Sequence, residues 1–325
     1  PDSLRRAPQF DAILDRLFPG GGPLALNGQS RPAGARVPGS ATLPSGEPNF
    51  FSTSGDQRLG GWPREVGMRL TGQVALVTGG GRGIGRGIAL AFAREGADVA
   101  MAARTGTEVT AVSKEIEGLG RSALACQCDV TDRDQVAGLV REVEKNLGPI
   151  TILVNNAGIA ASAKTTEMDD DLWERILRVN LTGTYLCTKA VLPGMLTRGH
   201  GRIINIASIG AKVGLLYSAA YCASKHGVLG FTRALALEVA GRGITVNAIC
   251  PGFVETTMTD ESIRRIVTKT GRTPDVARQA LEALSPQHRL IQPEEVAFVA
   301  VMLASPEASG IHGQAINVDG GAVMY

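Results

Sequence analysis

The chain has 325 residues, 44% of them hydrophobic and 20% charged, which is enough apolar mass for a large buried core. Its 33 basic and 31 acidic side chains leave a formal charge of +2, and this argues against nucleic-acid binding, because neutralising phosphates takes a basic excess. No apolar run reaches the roughly 18 residues of a membrane span, and five scattered cysteines make no disulfide framework, so the expected setting is reducing and cytoplasmic.

Residues 1–67 carry 9 of the 16 prolines and 11 of the 41 glycines. Apart from a short amphipathic stretch with Ile13, Leu14, Leu17 and Phe18 they show no periodicity, so they read as a low-complexity, mostly disordered extension. From Met68 to Tyr325 the pattern changes to that of one domain. Short apolar or β-branched runs at 73–79, 98–103, 122–128, 151–156, 202–208, 244–250 and 314–318 read as strands. Segments with helical apolar spacing lie between them, at 84–95, 106–119, 132–147, 169–198, 218–240 and 293–304. Strands alternating with helices imply parallel crossovers. The expected architecture is an α/β, Rossmann-type doubly wound sheet of seven parallel strands flanked by helices. Residues 252–292 break the rhythm and are too long for a plain connection, so a substrate loop or lid is expected there.

The first strand runs into Thr78-Gly79-Gly80-Gly81-Arg82-Gly83-Ile84-Gly85, which opens the first helix. Glycines let backbone N–H groups approach a ligand closely, and a helix N-terminus adds about half a positive charge, so a pyrophosphate is the expected guest. The spacing is G-x-x-x-G-x-G, not the better-known G-x-G-x-x-G. The second strand ends in Ala102-Ala103-Arg104-Thr105, where NAD enzymes place an acid, and Asp98 lies at its other end. Arg104, with Arg82 as a second clamp, suits a 2′-phosphate, so NADP(H) is favoured and NAD(H) stays open.

Tyr221 and Lys225 stand four residues apart and share a helix face. A nearby cation favours phenolate, so Tyr221 can exchange a proton with an alcohol or carbonyl oxygen. Ser208 closes the preceding strand and can reach the same oxygen. Tyr185 and Lys189 repeat the spacing, but no serine-ended strand stands just before them, so Tyr185 reads as a packing residue beside a surface lysine. Cys126 and Cys128 share one face of a strand and read as buried residues. Cys222 has no His placed as its base, and histidines 200, 226, 288 and 312 form no metal motif, so no metal is expected.

These motifs, with Asp129-Val130, Asn155-Asn156-Ala157-Gly158, Asn180 and Pro251-Gly252 followed by Val254 and Thr256, resemble the short-chain dehydrogenase/reductase family over Met68–Tyr325. The resemblance implies a catalytic tetrad of Asn180, Ser208, Tyr221 and Lys225. It also implies that Asp129 and Val130 meet the adenine and that Asn156, Ala157 and Gly158 lie beside the coenzyme. Further, Lys225 would grip the nicotinamide ribose, Asn180 would hold a relay water, and Pro251, Gly252, Val254 and Thr256 would meet the nicotinamide end. A nucleotide-binding scaffold without chemistry would lack one of the four groups, and none is lacking. The runs SKHGVLGFTRALALE and GITVNAICPGFVETTM are similar to ketoreductases of fatty-acid and polyketide type. In such enzymes a pair of arginines docks an acyl carrier protein. Arg242 matches one of the pair, while the other position holds Gly199 with Arg198 beside it, so carrier-borne and free small-molecule substrates both stay open. Ile159, Ile209, Leu215, Leu216, Tyr217, Phe253 and Met258 are expected around an apolar carbonyl substrate, with Ile209, Leu215, Tyr217, Phe253 and Met258 foremost. The resemblance further implies a homodimer or homotetramer paired through 169–198 and 218–240.

Overall fold

The computed structural model describes residues 68–325. The expectations for 1–67, including the Ile13–Phe18 stretch, lie outside the described residues. Seven strands form one sheet: β1 (Val74–Thr78), β2 (Asp98–Ala103), β3 (Ala123–Gln127), β4 (Ile152–Asn155), β5 (Gly201–Ile206), β6 (Ile244–Pro251) and β7 (Ala315–Val318). Their order is β3-β2-β1-β4-β5-β6-β7, and every pairing is parallel. The chain winds outward from β1 in one direction and resumes at β4 in the other. The carboxyl ends of β1 and β4 therefore flank the switch point, where open α/β sheets bind ligands.

Helices α1 (Gly83–Arg94), α2 (Gly106–Gly118), α3 (Arg133–Asn146), α4 (Asp170–Leu177), α5 (Gly183–Arg198) and α6 (Ala219–Val239) follow the first five strands in turn, α4 and α5 both after β4. After β6 come α7 (Thr257–Thr270), α8 (Pro274–Glu282) and α9 (Pro293–Ala304). Both sheet faces are covered, and the side-chain alternation of β1 shows it. Ala75 and Val77 pack with Ile88 and Phe92 of α1 and with Val296 and Ala300 of α9. Val74 and Leu76 point the other way, into a cluster with Val136 and Leu139 of α3, Val191 and Met195 of α5 and Leu235 of α6. This is the period-2 geometry of a strand buried on both faces. Phe92 is wholly buried, and its loss to alanine costs about 3–5 kcal/mol.

One expectation changes. The 169–198 helix is two helices joined by a π-helical turn over Arg178–Thr182, which contains the buried Asn180. Such one-turn bulges recur at functional sites. The 252–292 stretch, expected as a substrate loop or lid, contains α7 and α8. They share a small core of Ile263, Ala277, Leu281 and Leu290, apart from the main clusters. α7 is rich in Thr, Arg and acidic residues, and α8 is only nine residues long. The segment is moored at its base, where Val254 bridges Ile291 and the Glu255 amide donates to the Ile291 carbonyl at 2.8 Å. Arg278 ties Glu255 to Glu282 across α8.

Candidate active site

The glycine loop leaves β1 through Gly79 at φ +63°, a left-handed conformation that glycine adopts without steric cost. Gly85 packs so closely on the loop that a Cβ there would lie 2.2 Å from the Gly79 carbonyl oxygen and 2.4 Å from Asn156 Nδ2. Asn156 Nδ2 donates to the Thr78 and Gly79 carbonyls at 3.0 Å each. Thr78 Oγ1 in turn accepts from the Asn156 and Ala157 amides at 3.0 and 3.1 Å. The loop after β1 and the Asn-Asn-Ala-Gly turn after β4 are thus one hydrogen-bonded unit at the switch point. The bonding role of Thr78 within that unit is a structural finding. Its only sequence signal is a hydroxyl at the end of the strand.

A cleft of about 590 Å³ opens above this unit. Arg104, Thr105, Cys128, Asp129 and Val130 line it on the β2–β3 side. The middle is lined by Gly79, Arg82, Gly83, Ile84, Asn156 and Ala157, and the far side by Gly158, Thr256 and Met258. The α1 N-terminus makes no side-chain cap and has no acid in its first turn, so its N–H groups and positive dipole face the cleft uncompensated. No acid stands at the end of β2. Asp98, at the start of that strand, is spent on Arg121 at 2.7 Å. Asp129 does not cap α3, because Asp132 does that by accepting from the Asp134 and Gln135 amides. Asp129 is fixed instead by Thr131. The anion-ready helix end, the cradle that a Cβ would fill and the guanidinium of Arg104 fit a pyrophosphate-bridged dinucleotide.

Beside Gly158 the remaining groups converge. A Cβ on Gly158 would stand 3.3 Å from Asn180 Oδ1 and 3.7 Å from Lys225 Nζ. Asn180 accepts from the Ile159 amide at 2.8 Å and donates to the Ile159 carbonyl and to Ser224 Oγ, both at 3.0 Å. Ser224, fully buried, donates to the Tyr221 carbonyl at 2.7 Å. Sequence reasoning passed over Ser224, although a hydroxyl three residues after the tyrosine was the available signal. Ser208 accepts from the Gly210 amide at 3.0 Å and hydrogen-bonds the Tyr221 phenol. Lys225 is buried, donates to the Ile206 carbonyl at 2.7 Å, and sits 5.8 Å from the Tyr221 ring centroid.

The electrostatics differ from the sequence expectation. Burial raises the Tyr221 phenol above its ordinary value, and the Ser208 hydrogen bond pulls against that rise. Burial also draws the Lys225 ammonium down to about 8. Loss of hydration dominates at the phenol, the reverse of the expected lowering. Tyr185 is 40% exposed, edge-on to Phe231 at 6.3 Å, with Lys189 at 5.6 Å from its ring, so it is a surface residue and not a packed one. The two Tyr–Lys pairs have nearly the same separation and differ in burial and in the serine partner.

Of the remaining expected residues Ile159 lines the main cleft, and most of the others fall elsewhere. Val254 is a core residue whose carbonyl accepts from Thr256 and Thr259. Ile209, Gly252 and Phe253 line a separate narrow crevice with Leu281 and Leu284 of the α8 region. Pro251 is buried in β6. Leu215 packs near Gly210, and Tyr217 holds a left-handed φ of 60° while its carbonyl accepts from the Ala163 amide at 2.8 Å. Of the five foremost substrate candidates only Met258 lines the main cleft. Leu172, Arg175, Glu108, Glu261 and Arg265 also line it and had no sequence signal. Cys126 and Cys128 are buried as expected, and no His/Cys/Asp/Glu group suited to a metal occurs among the described residues. None of the described helices is long and apolar enough to cross a membrane.

Comparison with known proteins agrees with this geometry. Residues 73–266 match the short chain dehydrogenase family. A putative ketoacyl reductase of Streptomyces coelicolor is 44% identical over 256 residues, 78% of this chain and 98% of that protein. A 3-oxoacyl-(acyl-carrier-protein) reductase of Thermotoga maritima is 40% identical over 257 residues, 79% of this chain and all of that protein. Among solved structures, a variant of actinorhodin polyketide ketoreductase with NADPH superposes with a TM-score of 0.76 at 43% identity, covering 78% of this chain and 98% of that one.

Proposed function

The chain belongs to the short-chain dehydrogenase/reductase family, and on that premise we propose that it is an NADP(H)-dependent ketoreductase acting on an apolar or acyl-thioester-like carbonyl compound. The observation that carries this reading is that Asn180 and Lys225 stand beside Gly158, which lines the dinucleotide-sized cleft, while Tyr221 lies next to Lys225 and is coupled to Ser208. The bound nicotinamide would supply or accept the hydride. The chain supplies the proton and the orientation. Tyr221 holds its proton at neutral pH because burial raises its value, so it donates to the oxygen of a carbonyl being reduced. The Ser208 hydroxyl orients that oxygen. Lys225 keeps most of its charge at pH 7 and fixes the end of β5 through the Ile206 carbonyl. Asn180 and Ser224 hold the turn at Ile159 against the first turn of α6, which sets the distance between the cleft wall and the phenol. A phenol held in its protonated form favours reduction near neutral pH, and alcohol oxidation should speed up as pH rises. A second reading, an NAD(H)-dependent secondary alcohol or hydroxyacyl dehydrogenase, is favoured by the Glu108 carboxylate at the β2 side of the cleft.

The test is a panel of ketones, β-ketoacyl thioesters and secondary alcohols, followed at the nicotinamide absorbance with both coenzymes. NADPH-dependent reduction of an apolar ketone or thioester is the expected result. No turnover of any of them with either coenzyme would overturn the reading.

A further inference from the structure

The end of β2 carries no acid, yet an acid reaches the same end of the cleft from the next helix. Glu108 lies in the first turn of α2. It lines the cleft together with Arg82, Arg104 and Thr105. Its Oε1 is 3.6 Å from Arg82 Nη1. It also packs on the glycine loop itself, since a Cβ on Gly81 would lie 2.7 Å from Glu108 Cβ and 3.2 Å from Oε2. Arg104 has no ion-pair partner among the described residues, whereas Arg82 is already engaged.

We propose that Glu108 sets the coenzyme preference by competing with a 2′-phosphate for Arg82. The proposal rests on the dinucleotide reading above. A 2′-phosphorylated nucleotide has to draw Arg82 away from Glu108 and bring its own negative charge near that carboxylate. A nucleotide with a free 2′-hydroxyl faces neither cost. The chain therefore accepts both coenzymes and discriminates between them less than its two arginines alone would dictate. The groups are partly exposed, so the effect is that of a screened unit charge a few ångström away, about fivefold in affinity.

The experiment is calorimetric titration with 2′,5′-ADP and 5′-AMP, and with NADPH and NADH, on the wild type, E108Q, R82Q and the R82Q/E108Q double variant. Thermal melting checks that each variant folds. E108Q should tighten 2′,5′-ADP and NADPH about fivefold and change 5′-AMP and NADH less than twofold. The gain should shrink in 0.5 M salt, within the range where a Debye length falls to several ångström. It should be smaller in the R82Q background, where only the direct repulsion between Glu108 and the 2′-phosphate remains. An unchanged affinity ratio in E108Q, weaker 2′,5′-ADP binding, or an equal gain in the R82Q background would each overturn the role of Glu108 while leaving the coenzyme reading intact. If the wild type binds none of the four nucleotides, the coenzyme reading itself fails and the role of Glu108 with it.

Discussion

Replacing Gly85 by alanine tests the joint between the glycine loop and the turn after β4. The added Cβ would meet the Gly79 carbonyl oxygen at 2.2 Å and Asn156 Nδ2 at 2.4 Å, where ordinary contacts start near 3.4 Å. The obstacles are a backbone carbonyl and a side chain fixed by two hydrogen bonds, so neither yields cheaply. The start of α1 must withdraw by about an ångström, with overpacking strain of about 1–3 kcal/mol. The two Asn156 bonds to Thr78 and Gly79 are lost, at about 1 kcal/mol each. Together the loss should be about 3–5 kcal/mol, read as a lower urea midpoint at unchanged slope. Calorimetry should show nucleotide binding lost in whatever fraction stays folded. Gly118→Ala is the internal control. Nothing lies within 4 Å of a Cβ there, so helix propensity should stabilise the chain by about 0.5–1 kcal/mol. If G85A stays within 0.5 kcal/mol of the wild type, the loop does not pack against α1 as described.

Two other perturbations probe the electrostatics. Lys225 titrates near 8 in the folded chain against 10.5 when free, so between those values the unfolded chain binds more protons and stability should climb with pH. Lys225→Met should flatten that climb in denaturant titrations from pH 8 to 10.5, and an unaltered slope would mean the ammonium is hydrated. Arg278→Met removes the tie between Glu255 and Glu282, which is partly exposed and so worth about 0.5–1 kcal/mol. Hydrogen exchange of the Glu255 amide should quicken several-fold at pH 7. Because Arg278 holds the Glu255 carboxyl below its ordinary 4.5, the difference from the wild type should fade as pH drops below that value. No change in protection at pH 7 would show that the α7–α8 segment is moored elsewhere.

The fold was legible because its strands are buried on both faces. The runs around Val74–Thr78 and Ile244–Pro251 are apolar almost throughout, and helices such as α1 and α3 show a clear 3.6 period. The helices α7 and α8 were not legible, because they pack chiefly on each other through a few residues such as Ile263 and Leu281. For the candidate site, spacing pointed to both Tyr221 and Tyr185, and only the serine-ended strand distinguished them. The structure adds burial as the physical difference between them. The direction of the Tyr221 shift depends on how much water the fold removes, which no local spacing encodes. Glu108 was missed for a related reason. The end of β2 holds no acid, and the one that reaches the same end of the cleft stands on the following helix, brought there by the close approach of Gly81 to α2. The substrate candidates drawn from the segments after β5 and β6 are divided by the α8 region, which gives Ile209 and Phe253 a crevice of their own.

The proton donor is the most direct point of attack. Tyr221→Phe keeps the ring, its packing and the coenzyme cleft, and removes a single hydroxyl. In single-turnover reduction of the best carbonyl substrate by NADPH, the rate should fall by about 10²–10⁴-fold while NADPH affinity, measured by calorimetry, changes less than twofold. A variant that reduces the same substrate at the wild-type rate would show that the proton comes from another group.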